Sequence, residues 1–171
     1  STFIGPPLEV TFGHYFEQSD EVNHAIKTFR DYYGEKGVHQ VSLYTGIAEA
    51  LQELNDLNYS LFVTTSKHQP MANLMLTELG IISHFKKVYG STPEYFHKAD
   101  VIKACLTEQG IQAHEAVIIG DTKFDMIGGQ KTGVRRLGVT WGFGSLESLQ
   151  EHGAESICHH PYDIKKALSS L

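Results

Sequence analysis

The 171-residue sequence predicts an α/β fold built on a doubly wound parallel sheet. Three observations predict it. Short apolar runs such as Ser60–Thr65 and Ala116–Gly120 lack the alternation of a half-exposed strand, as expected where helices cover both sheet faces. Helix-period stretches stopped by glycine separate those runs, and strands joined by single helices pair in parallel through right-handed crossovers. The opening segment, to about Tyr44, shows helical periodicity only.

The first element expected is a helix over roughly Leu8 to Phe16, after the Gly5-Pro6-Pro7 turn. A second follows because Val22, Ile26, Phe29 and Tyr33 recur at intervals of four, three and four, one apolar helical face. Asp20 stands where an N-cap belongs and Gly34 where a stop belongs. From Gly46 the pattern alternates. Ala48, Leu51 and Leu54 mark a helix, and Ser60–Thr65 a buried strand with hydroxyls at its end. Met71, Leu74, Met75 and Leu79 mark the next helix, stopped by Gly80, and a short strand follows near Lys87-Val88-Tyr89. A helix around Val101 to Leu106 ends at Gly110, before the cleanest strand of the chain, Ala116–Gly120. A helix from about Phe124 to Thr132 stops at Gly133. The last units are a strand near Leu137–Thr140, a helix near Leu146–His152, a strand at Ser156–Cys158 and a C-terminal helix. The boundary between the helical piece and the α/β body falls near Val41 to Gly46, giving expected units 1–44 and 45–171.

Composition narrows the function classes. Lys and Arg number 14 against 20 Asp and Glu, a net charge of −6, which argues against a broad nucleic-acid footprint. An anionic small substrate remains compatible, because a few local cations can hold one inside an acidic protein. No run of about 18 apolar residues predicts a membrane span. Two cysteines, Cys105 and Cys158, make no disulfide framework, so a reduced, cytoplasmic setting is expected. The pattern gives no expectation of oligomeric state.

Ligands of open parallel sheets bind beyond the carboxyl ends of the strands, and three polar signals fall there. In Gly120-Asp121-Thr122-Lys123-Phe124-Asp125, a strand delivers Asp121 to the sheet edge and Asp125 follows as a helix begins. Two carboxylates at that spacing suit Mg²⁺, a hard cation that takes one or two carboxylates and keeps its waters; they equally suit a helix cap and a first-turn dipole partner. Val63-Thr64-Thr65-Ser66-Lys67 places hydroxyls and backbone N–H groups where a phosphate can sit, or forms a plain strand-to-helix turn capped by Ser66. Lys98, after His97 and the Pro93 turn, opposes the dipole of its own helix. Stabilising a phosphate beside a carboxylate would justify that placement; an exposed lysine is the plain alternative. His159-His160 beside Cys158 are adjacent ligands without a second cluster, so a solvated turn is expected. Trp141-Gly142-Phe143-Gly144 follows a strand end, with packing its expected role.

In order and context, Thr64, Lys98 and the Asp121/Asp125 pair resemble motifs two, three and four of the haloacid dehalogenase-like hydrolase superfamily. Phe3-Ile4-Gly5-Pro6-Pro7-Leu8, Gly90-Ser91-Thr92-Pro93 through Asp100, and Ile119 to Asp125 are similar to its phosphoglycolate phosphatase-like members. The resemblance covers essentially the whole chain and implies a Rossmannoid core with a partial helical cap. It implies a Mg²⁺-dependent phosphatase acting on small phosphorylated metabolites through an aspartyl-phosphate. Asp121 would ligate Mg²⁺, with Asp125 supporting the metal directly or through water. Thr64 would bind the transferring phosphoryl group with help from the Thr65 backbone, and Lys98 would bridge phosphate and nucleophile. The resemblance favours phosphoglycolate; a 5′-nucleotide or pyrophosphate is the other expectation.

One departure matters. The family's nucleophile motif, Asp-x-Asp-x-Thr, does not occur between Ser1 and Leu171, and the central first strand that carries it is expected upstream of Ser1. The slot between the strands ending at Thr64 and Gly120 is therefore expected to be open, exposing two apolar edges. The alternative is a catalytically inactive phosphate-binding or interaction domain of the same fold. A phospho-receiver domain, a third α/β option, should carry paired acidic residues early in the chain; the pair found there, Asp20-Glu21, falls at the start of a predicted helix.

Overall fold

The structure is a computed structural model describing residues 6–92, 94–95 and 97–171. The Phe3-Ile4-Gly5 segment and the Pro93 turn lie outside the described residues.

Two helices open the chain. α1 (Leu8–Gly13) begins directly after Pro7, and α2 spans Ser19–Glu35. The helix starts on Gln18 rather than on Asp20, which instead lies in the first turn with Glu21, where a carboxylate favours the dipole. Gly34 lies inside α2 rather than ending it. Phe12 of α1 meets Phe29 edge-on at 6.2 Å, and Phe29 stacks on Tyr33 at 5.9 Å. Lys67 Nζ sits 4.2 Å over the Tyr33 ring, joining the helical piece to the body.

The body alternates as expected: α3 (Ile47–Asp56), β1 (Phe62–His68), α4 (Gln69–Glu78), β2 (Lys87–Ser91), α5 (Lys98–Gln109), β3 (Val117–Gly120), α6 (Lys123–Thr132), β4 (Arg135–Val139), α7 (Leu146–Glu151), β5 (Ser156–Cys158) and α8 (Ile164–Leu168). Gly110 and Gly133 end α5 and α6 at φ 66° and 76°, the left-handed C-terminal stop that glycine accepts without a Cβ penalty. Every strand pairing is parallel.

The strands form two sheets, β1-β2 and β3-β4-β5. Among the described residues, neither the outer edge of β1 nor that of β3 has a strand partner. This is the open slot that the sequence leads one to expect, and Ile119 in β3 is 36% exposed beside it. α5 packs on β1 and α6 on β3, and the two helices pack on each other, so the halves are held together across the gap. Leu54, Leu137, Val139, Cys158 and Ile164 form the core of the larger half. Ala72, Leu76, Ile81 and Val88 form that of the smaller.

β1 runs past its expected end at Thr65 to His68. Pairing shifts register between Thr64 and His68. The Gln69 side chain fills the irregularity: its Nε2 donates to Val88 O at 2.7 Å and its Oε1 accepts from Gly90 N. A Cβ at Gly90 would come within 2.5 Å of Gln69 Cα, so glycine is what lets the two backbones approach. Ser66, expected as a possible helix cap, is consequently a strand residue, and His68 takes the N-cap position of α4.

Candidate active site

The site forms where β1, β3, α5 and α6 meet. Lys98 is the first residue of α5. Its Nζ donates to the main-chain oxygen of Thr64 at 2.6 Å and pairs with Asp125 Oδ1 at 2.7 Å. Both charged side chains are largely buried, at 14% and 9% exposure. The local cost of a cation at a helix N-terminus is thus offset by an anion and a carbonyl from two other elements. The stem of Lys98 lies against Gly128 of α6, where a Cβ would stand 2.8 Å from Lys98 Cγ.

Asp125 is fixed from a second side. Its Oδ2 accepts from Thr122 N at 3.0 Å and from Thr122 Oγ1 at 2.7 Å, and Thr122 in turn caps α6, completing a reciprocal capping box. Gly120 leaves the room, since a Cβ there would fall 2.2 Å from Asp125 Cβ. Burial pushes the Asp125 carboxyl up, but the Lys98 charge, its hydrogen bond and those from Thr122 outweigh burial and hold it below the usual carboxylate range. Asp125 is therefore ionised at neutral pH.

Asp121 follows the end of β3 and is half-buried. Its Oδ2 accepts from Phe143 N at 2.8 Å, and its main-chain oxygen accepts from Gly144 N at 2.9 Å. The Trp141–Gly144 loop therefore holds Asp121. Cβ atoms at Gly142 and Gly144 would fall 2.1 Å from Asp121 Oδ2 and 2.2 Å from its main-chain oxygen. Two carboxylates at one strand end, one anchored through a single oxygen, are a hard-oxygen donor set of the kind Mg²⁺ accepts. Among the described residues there is no group of three or more His, Cys, Asp or Glu able to hold a metal.

Lys98 touches both the main-chain oxygen of Thr64 and the carboxylate of Asp125, and Asp121 is the chain neighbour of Thr122, which caps Asp125 from the other side. Thr65 points its hydroxyl at the backbone, accepting from Lys67 N at 3.1 Å. Lys67 and Lys123 lie over aromatic rings, Tyr33 and Phe124 respectively. His159 Nδ1 meets Thr140 Oγ1 at 3.1 Å, and His160 stacks on Tyr162. Sequence reasoning passed over Thr122 and Gly128. The Thr-x-x-Asp capping box was the available signal for Thr122. Gly128 depends on a neighbour thirty positions away and has no local signal.

A family model for haloacid dehalogenase-like hydrolases matches residues 1–139. A 5′-nucleotidase of Pseudomonas aeruginosa is 31% identical over 98% of this chain and 77% of its own length. A phosphoglycolate phosphatase of Vibrio parahaemolyticus is 24% identical over 99% of this chain and 76% of its own. A solved haloacid dehalogenase-like hydrolase of Streptococcus pneumoniae superposes with a TM-score of 0.88 at 38% identity, covering 97% of this chain and 78% of that one. No helix among the described residues is long and apolar enough to cross a membrane. By sequence and by parallel α/β architecture, this chain belongs to the haloacid dehalogenase-like hydrolase family.

Proposed function

We propose that the protein is a Mg²⁺-dependent phosphatase of small phosphate monoesters, with residues 45–171 as its α/β core and 1–44 as part of a helical cap. The carrying observation is Lys98 Nζ, bound at once to Thr64 on β1 and to Asp125 at the start of α6. That placement sets one cation between β1, at the point where its pairing with β2 loses register, and the start of α6 just after β3, where a dianionic phosphoryl group would rest.

In this reading an aspartate on a strand upstream of Ser1 fills the slot between β1 and β3. Its carboxylate oxygen attacks phosphorus, the bond from phosphorus to the ester oxygen breaks, and the leaving alcohol takes a proton from a neighbouring acid. Water then cleaves the aspartyl-phosphate, releasing phosphate and regenerating the carboxylate. Lys98 binds phosphoryl oxygens and steadies the charge gathering on them, while Thr64 donates a hydroxyl to another. Asp121 would hold Mg²⁺, which supplies charge neutralisation to the phosphoryl oxygens. Asp125, which keeps Lys98 in position, would support that metal directly or through water. Its relatives' names span nucleotide and phosphoglycolate hydrolysis, and the subgroup resemblance favours phosphoglycolate.

The test uses two readouts. Protein carrying its upstream segment is assayed for Mg²⁺-dependent release of phosphate from p-nitrophenyl phosphate, and inorganic phosphate binding is titrated separately. Lys98→Ala should lower kcat/KM by about 10² to 10³ and abolish measurable phosphate binding; Asp121→Asn should abolish the Mg²⁺ dependence. Full turnover in both variants would refute the assignment. Phosphate binding without turnover in the intact protein would favour the non-catalytic alternative.

A further inference from the structure

Gln69, the first residue of α4, directs its side chain to β2. Nε2 donates to Val88 O at 2.7 Å and Oε1 accepts from Gly90 N. A residue on a parallel neighbouring strand makes the same two bonds, giving its N–H to the carbonyl before the opposed residue and accepting from the N–H after it. The side-chain amide thus stands in for a strand residue, and Val88 O and Gly90 N are satisfied without the main chain of β1. We propose that Gln69 is a positioning residue: it holds Thr65–Lys67 out of a regular β1–β2 ladder and so fixes how Thr64 and Thr65 face the phosphoryl group. The inference rests on the phosphatase reading above and adds to it a residue that touches neither phosphate nor metal.

The register shows the surplus of chain that the amide accommodates. Thr64 pairs with Tyr89 and His68 with Ser91, so β1 advances four positions while β2 advances two. The extra residues leave the ladder as in a bulge, a device that re-aims side chains beside active sites. The displaced segment is caught elsewhere. Thr64 O takes Lys98 Nζ at 2.6 Å, Lys67 N donates to Thr65 Oγ1 at 3.1 Å, and Lys67 Nζ lies 4.2 Å over the Tyr33 ring of α2.

Gly90 completes the fit. A Cβ there would stand 2.5 Å from Gln69 Cα and 2.8 Å from Lys67 O, so its lack of a side chain admits both the amide and the displaced segment. Without the amide, Val88 O and Gly90 N would need other partners, and the strand that pairs with β2 is β1. Thr65–Lys67 would then be drawn toward the ladder, and Thr64 and Thr65 away from the phosphoryl site beside Lys98.

The test titrates inorganic phosphate by NMR into protein carrying its upstream segment and follows amide hydrogen exchange at Gly90. Gln69→Leu removes both bonds, so the Gly90 amide should exchange faster and phosphate affinity should fall about tenfold, with the α6 resonances unmoved. Gln69→Glu is the conservative control. Its ionised carboxylate offers acceptors only and faces Val88 O, whereas a protonated carboxyl donates once and accepts once, as the amide does. Facing a carbonyl keeps that carboxyl protonated to higher pH than its ordinary value of about 4.3. Compared with native protein at the same pH, Gln69→Glu should bind phosphate about tenfold more weakly at pH 8 and recover toward the native affinity at pH 5. Native affinity in both variants at pH 8, or a Gln69→Glu deficit equal at the two pH values, would overturn the role of Gln69 and leave the phosphatase reading intact. Phosphate binding lost in the Gln69 variants but surviving Lys98→Ala would instead sink the phosphatase reading and keep Gln69 as the residue that shapes β1.

Discussion

Lys98 and Asp125 form a buried ion pair of 2.7 Å that joins the first residue of α5 to the first turn of α6. Because Lys98 also holds the Thr64 carbonyl, the same pair ties β1 to the half of the protein that carries β3. The residues proposed for phosphate chemistry thus also hold the halves together across the open slot.

Removing the anion should therefore be expensive. Asp125→Asn leaves Lys98 buried without its counter-charge, a defect that typically costs about 3–5 kcal/mol. Pairing that substitution with Lys98→Met should recover part of the loss, since no unpaired charge then remains. Urea unfolding of the two single variants and the double variant measures the coupling, and strict additivity would show that the pair contributes nothing to the fold.

The same pair sets a pH dependence whose sign follows from Asp125. Its folded pKa lies below the unfolded carboxylate value, so its contribution to stability is complete above that unfolded value, about 3.9. The contribution is lost as pH falls through the folded value. The stability difference between the native protein and Asp125→Asn should stay flat from pH 7 to about 5 and shrink below about 4. A difference that persists unchanged to pH 3 would contradict the depressed pKa.

Much of this arrangement is legible in the sequence. Glycine stops and apolar runs locate every strand and helix of the body, because buried parallel strands announce themselves by composition alone. β1 is the instructive exception. Its extension to His68 depends on Gln69 bridging Val88 and Gly90, a contact across twenty residues that local pattern does not carry. α2 likewise has Gln18 as its N-cap and runs through Gly34 to Glu35, past the local start and stop signals. Thr64, Lys98, Asp121 and Asp125 stand out as polar residues near expected strand ends and helix starts. Their pairing, with Asp125 turned toward Lys98 and Thr122 rather than outward, is set by tertiary packing.

The cysteines offer a test of packing without any bearing on chemistry. Burial, with a smaller push from Glu108, raises the Cys105 thiol to about 11, and burial also raises Cys158. Both are buried and unpaired, so both remain protonated thiols at pH 8, the unreactive form. Ellman's reagent should react with neither in the native protein and with both in denaturant. Rapid labelling of native protein would mean that the α5 and β5 contacts open readily.

Two glycines allow position to be separated from stability. At Gly128 an added Cβ meets the Lys98 stem, on a side chain tied to Asp125 and Thr64. Gly128→Ala should thus cost about 1–3 kcal/mol and weaken phosphate binding together. At Gly142 the clash falls on Asp121 Oδ2, in a half-buried loop that contributes no strand or helix. Gly142→Ala should leave urea stability nearly unchanged while displacing the proposed metal carboxylate. The concentration of Mg²⁺ needed for half-maximal hydrolysis should then rise about tenfold, a range typical when a ligand's supporting contacts are disturbed. Equal Mg²⁺ requirement in Gly142→Ala and the native protein would show that Asp121 does not serve the metal.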